Sequence, residues 1–143
     1  MVVNFLFESE IPHIEKNYFK KLVRRIIKVI LKDEKFACGT INIRFCDDNE
    51  IKIYNKKYLS HNYETDILTF YYENDVNSID SDIMISVDTI KRNSVKYKSG
   101  FENELLRVII HGVLHLCGYK DSTIIQKAKM REKENYYLKK IVN

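Results

Sequence analysis

Residues 104–122, ELLRVIIHGVLHLCGYKDS, decide how the rest of the chain is read. At about 100° per residue, Glu104, Arg107, His111 and His115 share one narrow sector of a helix, while Leu105, Leu106, Val108, Ile109, Ile110, Val113, Leu114 and Leu116 cover the rest. So apolar a helix belongs in a core, and the pattern predicts one over 102–117 that Gly118 ends. A polar stripe on a buried helix costs free energy unless its groups find partners, so it marks a site. His111 and His115 are one turn apart, close enough to hold one ion. Gly118 can take the left-handed conformation and turn the chain so that Asp121 returns toward both imidazoles. Three protein ligands with a fourth position left for water is the arrangement of a catalytic zinc. Asp121 has a second reading, as the N-cap of the helix that follows. Cys117 lies about 200° around the helix from His115 and is expected to face away from the ion.

Outward from this stretch, a last helix is expected over 123–140. Gly100 separates the histidine helix from a short one that Asp88 can cap and that runs to Lys96. Upstream, Ile83–Val87 and Ile67–Tyr72 read as strands, with a polar stretch at 73–81 between them and a polar loop at 60–64 before them. Asp47-Asp48 offers an N-cap for a helix to Leu59, and Thr40–Phe45 alternates as a strand after a break at Cys38-Gly39. Val2–Phe7 is a strand, and Ile11-Pro12-His13 turns the chain into a long amphipathic helix over 14–35 with Pro12 near its first positions. The order βαβαββααα predicts an α+β fold: a single small mixed sheet packed with several helices, one of them a zincin-like metal helix.

The 143 residues suit one domain, 1–143, since two cores would have about 70 residues each. Hydrophobic residues make up 45% and Gly and Pro only 4 and 1, which excludes disordered and collagenous classes. No apolar run approaches the roughly 18 residues of a membrane span, and the apolar start has no basic region before it, so no membrane partner is expected. Three cysteines, Cys38, Cys46 and Cys117, fit a reducing cytoplasm and read as small buried hydrophobes rather than redox groups. The net charge of +4 identifies no partner, but Lys20, Lys21, Arg24, Arg25, Lys28, Lys32 and Lys35 gather on the first helix. That face is either solvated or a phosphate-binding patch. His13 and His61 read as surface groups.

The histidine spacing resembles the zincin pattern H-E-x-x-H-x-x-G-x-x-H, but Gly112 stands where that pattern has its Glu general base. A metallopeptidase of that type is therefore not expected. At HGVLHLCGYKD the chain resembles the bacterial YbeY family, zinc-dependent endoribonucleases of rRNA maturation with the signature H-G-x-L-H-L-x-G-Y-D-H. His111, Gly112, Leu114, His115, Leu116, Gly118 and Tyr119 match it. Asn55, the block Thr65-Asp66-Ile67-Leu68-Thr69-Phe70 and the strand Asp82-Ile83-Met84-Ile85-Ser86 are similar to the family's N-x-x-Y-R, T-D-V-L-S-F and G-D-I-x-I-S segments. Two departures from the family pattern matter. Asp121 replaces the third His, as a harder and more anionic ligand. Leu59 replaces the Arg after Tyr, so a phosphate contact cannot be assigned there.

The resemblance implies a metal-dependent endoribonuclease that acts on rRNA precursors during maturation of the small ribosomal subunit and its 16S rRNA. One zinc ion held by His111, His115 and Asp121 would act as a Lewis acid or acidify a bound water. Water and the neighbouring 2′-OH both remain open as nucleophile. Lys56, Lys57 or Arg107 are candidates for the missing phosphate contact. Arg107 is favoured by geometry, with a salt bridge to Glu104 as its other reading. Tyr63, Tyr71 and Tyr72 are either stacking platforms for single-stranded RNA or packing residues. Two other functions are compatible with the residues. One is an RNA-binding assembly factor with a structural metal, motivated by Leu59 and Asp121; the other is a metallohydrolase of another substrate class.

Overall fold

A computed structural model describes residues 1–73 and 78–142. Its elements are β1 (Val2–Phe7), α1 (Lys16–Asp33), β2 (Ala37–Cys46), α2 (Asp48–Leu59), β3 (Ile67–Tyr72), β4 (Ser78–Ser86), α3 (Val87–Lys96), α4 (Phe101–Leu116) and α5 (Ile124–Ile141). The predicted order and the α+β class hold. The strands form one mixed sheet in the order β1-β2-β4-β3. β1, β2 and β4 are parallel, and β3 pairs with β4 antiparallel as an edge strand.

Strand residues alternate between faces, and the two faces meet different partners. Val3, Ile41, Ile43, Phe45, Ile79, Ile83 and Ile85 belong to the main core with Phe19, Val23, Ile26, Ile27 and Ile30 of α1 and the apolar residues of α4 and α5. The Phe7 and Phe45 rings stack with centroids 4.8 Å apart, and Phe19 meets Phe45 edge-on at 5.7 Å. On the other face Cys46, Ile51, Leu68 and Met84 form a smaller cluster under α2. Helix α4 packs against α1, α3, α5, β3 and β4. Burying each of its Leu and Ile side chains contributes roughly 1.5–3 kcal/mol, so the helix that carries His111 and His115 is also the one most firmly held.

Gly112 shows how closely α4 lies on the sheet. A Cβ there would sit 2.5 Å from Ile67 Cδ1 and 3.5 Å from Thr69 Cγ2. The position occupied by a general-base Glu in zincins therefore faces β3, and any side chain there has to displace the end of Ile67.

Several boundaries differ from the sequence reading. β2 continues through Cys38-Gly39, with its register to β4 shifting between Cys38 and Ile41. A bulge lets a strand pass a glycine, and a Cβ at Gly39 would meet Asp80 Oδ1 at 2.1 Å. Of the polar stretch 73–81, residues 74–77 lie outside the described residues. Residues 78–81 are already strand: Ser78 and Ile79 pair with Ala37 and Cys38 of β2, and Asp80 and Ser81 pair with Tyr72 and Tyr71 of β3. Ser86, not Asp88, caps α3 by accepting from Thr89 N, which makes Val87 the first helical residue. α1 starts at Lys16 because Glu15 caps it, accepting from Asn17 N and Tyr18 N. Pro12 stays in the preceding turn, followed by His13 at φ 59°.

Candidate metal centre

The predicted turn after α4 forms. Gly118 has φ 99°, its N–H donates to the His115 carbonyl, and Tyr119 N–H donates to the Leu114 carbonyl. This pair of bonds is a Schellman stop, which satisfies two carbonyls at the helix end and reverses the chain. Asp121 thereby returns to the histidines. Its Oδ2 lies 3.2 Å from His111 Nε2 and its Oδ1 lies 3.6 Å from His115 Nε2. The N-cap reading of Asp121 does not hold, because Thr123 caps α5 in a capping box with Gln126. Cys117 is outside the cluster, as expected, and burial pushes its thiol up to about 12.

Hydrogen bonds on the far side of each ring set the histidine tautomers. His115 Nδ1 lies 2.8 Å from the Tyr119 carbonyl oxygen. A carbonyl can only accept, so that nitrogen carries the proton. His111 Nδ1 lies 2.7 Å from Glu134 Oε2. Burial raises the Glu134 pKa, but hydrogen bonds from His111 and Arg107 outweigh it and hold the carboxyl below its usual range. Glu134 is therefore ionised and accepts from His111. Both Nε2 lone pairs are left facing each other 2.9 Å apart, an arrangement that repels unless a cation lies between them. Burial disfavours a charged His111, yet the bond to Glu134 and the charges of Glu134, Asp121 and Asp66 raise its pKa overall.

These donors fit zinc. Ligand atoms at bonds of about 2.0–2.1 Å in a tetrahedron lie about 3.3 Å apart; the two Nε2 atoms are 2.9 Å apart and Asp121 Oδ2 is 3.2 Å from His111 Nε2, near that value, while one donor atom from each of the three residues lies within 4.8 Å of the others. Side-chain exposures of 23% and 28% for the histidines and 41% for Asp121 keep an open side. The outer partners, Glu134 and the Tyr119 carbonyl, are what orients imidazoles at such sites.

Two cavities meet at the cluster, sharing Asp66, His111 and Asp121. One, of about 590 Å³, runs between α3, α4 and α5 and includes Arg107, Lys127, Arg131 and Glu134. The other, of about 520 Å³, runs along β3 and includes Leu59, His115 and Lys120. Burial raises the Asp66 pKa against the lowering influence of His111. Asn55 is buried at the end of α2 and donates to the Tyr63 carbonyl, securing the loop that delivers Thr65 and Asp66.

The family model described as Endoribonuclease YbeY matches residues 4–142. The chain belongs to the endoribonuclease YbeY family. It is 45% identical to Endoribonuclease YbeY of Chloroherpeton thalassium over 96% of this chain and 92% of that protein. Identity to the Karelsulcia muelleri YbeY is 44%, over 96% and 94%. A solution structure of a Thermotoga maritima protein aligns with a TM-score of 0.67 at 27% identity, covering 98% of this chain and 89% of that one. As a YbeY protein the chain is an endoribonuclease, a hydrolase of RNA.

The remaining candidates divide clearly in this YbeY chain. Arg107 lines the first cavity, with its guanidinium held by Glu134 at 3.0 Å and Asn135 at 2.8 Å. Glu104, the partner in its alternative salt-bridge reading, instead accepts from Ser99. Lys56 and Lys57 are exposed and line neither cavity. None of the α1 cations line them either, and Lys20 and Arg24 lie over the Phe5 ring. Tyr63, Tyr71 and Tyr72 are just over half exposed, which excludes core packing, but they too stand apart from the metal cavities. His13 and His61 are exposed, as expected.

Sequence reading passed over Glu134 and Asp66. Glu134 had a signal: with Met130, Tyr137, Leu138 and Ile141 it forms the buried stripe of α5, and a carboxylate among core positions needs a partner.

Gly118→Ala tests the turn. Nothing lies within 4 Å of an added Cβ, so the cost is backbone strain alone, about 1–2 kcal/mol. The urea midpoint is expected to fall accordingly; an unchanged midpoint would show that the left-handed turn is not needed.

Proposed function

We propose that this YbeY endoribonuclease cleaves rRNA precursors during maturation of the small ribosomal subunit, using one zinc ion held by His111, His115 and Asp121. The supporting observation is the convergence of two Nε2 lone pairs and a carboxylate at the junction of two polar cavities. When bound, the ion supplies Lewis acidity toward a phosphodiester. The chain's residues supply the rest. Glu134 and the Tyr119 carbonyl hold the imidazoles in register. Arg107 commits some guanidinium N–H groups to Glu134 and Asn135 and offers the others to a phosphate oxygen. Asp66, placed in both cavities, takes the proton of the attacking hydroxyl, whether water or the neighbouring 2′-OH, and returns it to the departing oxygen. The unit spans 1–143 as one metallohydrolase domain and works in the cytoplasm, where its free cysteines stay reduced. No helix among the described residues is long and apolar enough to cross a membrane.

Zinc-loaded protein is expected to cut a precursor containing 16S rRNA, to stop in a chelator and to resume when zinc is restored. An intact precursor beside turnover in a panel of small phosphoesters would overturn the RNA assignment in favour of another substrate class.

A further inference from the structure

We infer that Lys120 grips a phosphate of the RNA strand on the β3 side of the metal centre, a role that rests on the proposed action on RNA. The cavity along β3 carries the carboxylates of Asp66 and Asp121 beside the imidazoles, and Leu59 is part of its apolar wall. A strand entering this cavity adds one negative charge per nucleotide to that acidic surface, so it requires a cation from the protein as well as from the ion. Among the residues lining the cavity, Lys120 is the one Lys or Arg. Its side chain is exposed and makes no ion pair among the described residues. The ammonium group is therefore available to an incoming anion.

Lys120 is also well anchored. It follows Tyr119, whose hydroxyl donates to Glu34 at 2.8 Å and whose carbonyl accepts from His115. Glu34 is in turn held by Lys133 at 3.2 Å and accepts from Tyr137. The turn is thus pinned to α1, α4 and α5, and Lys120 stands next to the candidate ligand Asp121. Arg107, Lys127 and Arg131 line the opposite cavity. An RNA strand crossing the centre would meet cations on both sides, with Lys120 alone on one of them. A lysine binds phosphate as a point charge and needs no fixed fork geometry, so Lys120→Arg should replace it and Lys120→Ala should not.

The test measures binding of a short, fluorescein-labelled 2′-O-methyl single-stranded RNA to the zinc-loaded protein across a salt series, with zinc content checked in each variant. Lys120→Ala is expected to weaken binding about fivefold and to make the slope of log K against log salt shallower by about 0.7, the share of one single-strand phosphate contact. Lys120→Arg restores both. Lys52→Ala, which removes an exposed α2 charge outside both cavities, changes the slope little. An unchanged slope in Lys120→Ala, or no binding by the wild type, overturns the role of Lys120 even if the protein cleaves RNA. A Lys120-dependent slope in a protein that cuts no RNA supports the role of Lys120 and refutes the proposed function.

Discussion

His115→Ala is expected to purify without stoichiometric zinc and without ribonuclease activity while remaining folded. The imidazole supplies one of three converging donor atoms. Changing a residue that merely orients a ligand already costs about 10–100-fold in metal affinity, so deleting a ligand should exceed a hundredfold. Folding should survive, because His115 is partly exposed and lies outside the apolar stripes of α4. The lost bond to the Tyr119 carbonyl is worth about 1 kcal/mol, and the Tyr119 hydroxyl still ties the turn to Glu34. Elemental analysis, circular dichroism and a precursor-cleavage assay together read the outcome. A folded variant that cuts as well as the wild type would trace the activity to a contaminant.

Glu134→Gln should weaken zinc binding by about 10–100-fold, the range for the outer partner of a metal-binding histidine. The substitution keeps a carbonyl that can accept from His111 Nδ1 but removes the charge that raises the basicity of the ring. It also leaves Arg107 against a neutral amide in place of the carboxylate 3.0 Å away. Glu134 is 5% exposed, so solvent does little to replace that charge, and a stability loss of about 1–3 kcal/mol should accompany the change. Competition with a chromophoric chelator measures the affinity. Unaltered zinc affinity would mean that Glu134 serves packing of α5 and not the metal.

The parts of the molecule legible in the sequence are those set by local rules. Leu105–Leu116 show their helix through periodicity, Gly118 shows its end through φ freedom, and Asp47 shows a cap through its position. The partners of those elements were less visible. β4 begins at Ser78 among polar residues because pairing with Ala37 of β2 holds it extended, and strand pairing across distant segments leaves no local trace. The histidines stood out because the polar stripe of α4 interrupts an apolar surface. Glu134 sits on α5 among many charged residues, so its burial depended on how α5 docks on α4. Arg107 was placed on the correct face, but its partner comes from another helix rather than from one turn earlier. The two readings of Asp121 were equivalent in sequence. They separated only when Thr123 emerged as the cap and the carboxylate turned toward the imidazoles.

The most direct measurement is the zinc content of protein purified without added metal, compared between wild type and Asp121→Ala. One equivalent of zinc in the wild type and its loss in a folded Asp121→Ala are the predicted result, since the carboxylate is one of three donors and caps no helix. Zinc retained in full by Asp121→Ala, or a wild type that binds none, would contradict a centre built from His111, His115 and Asp121.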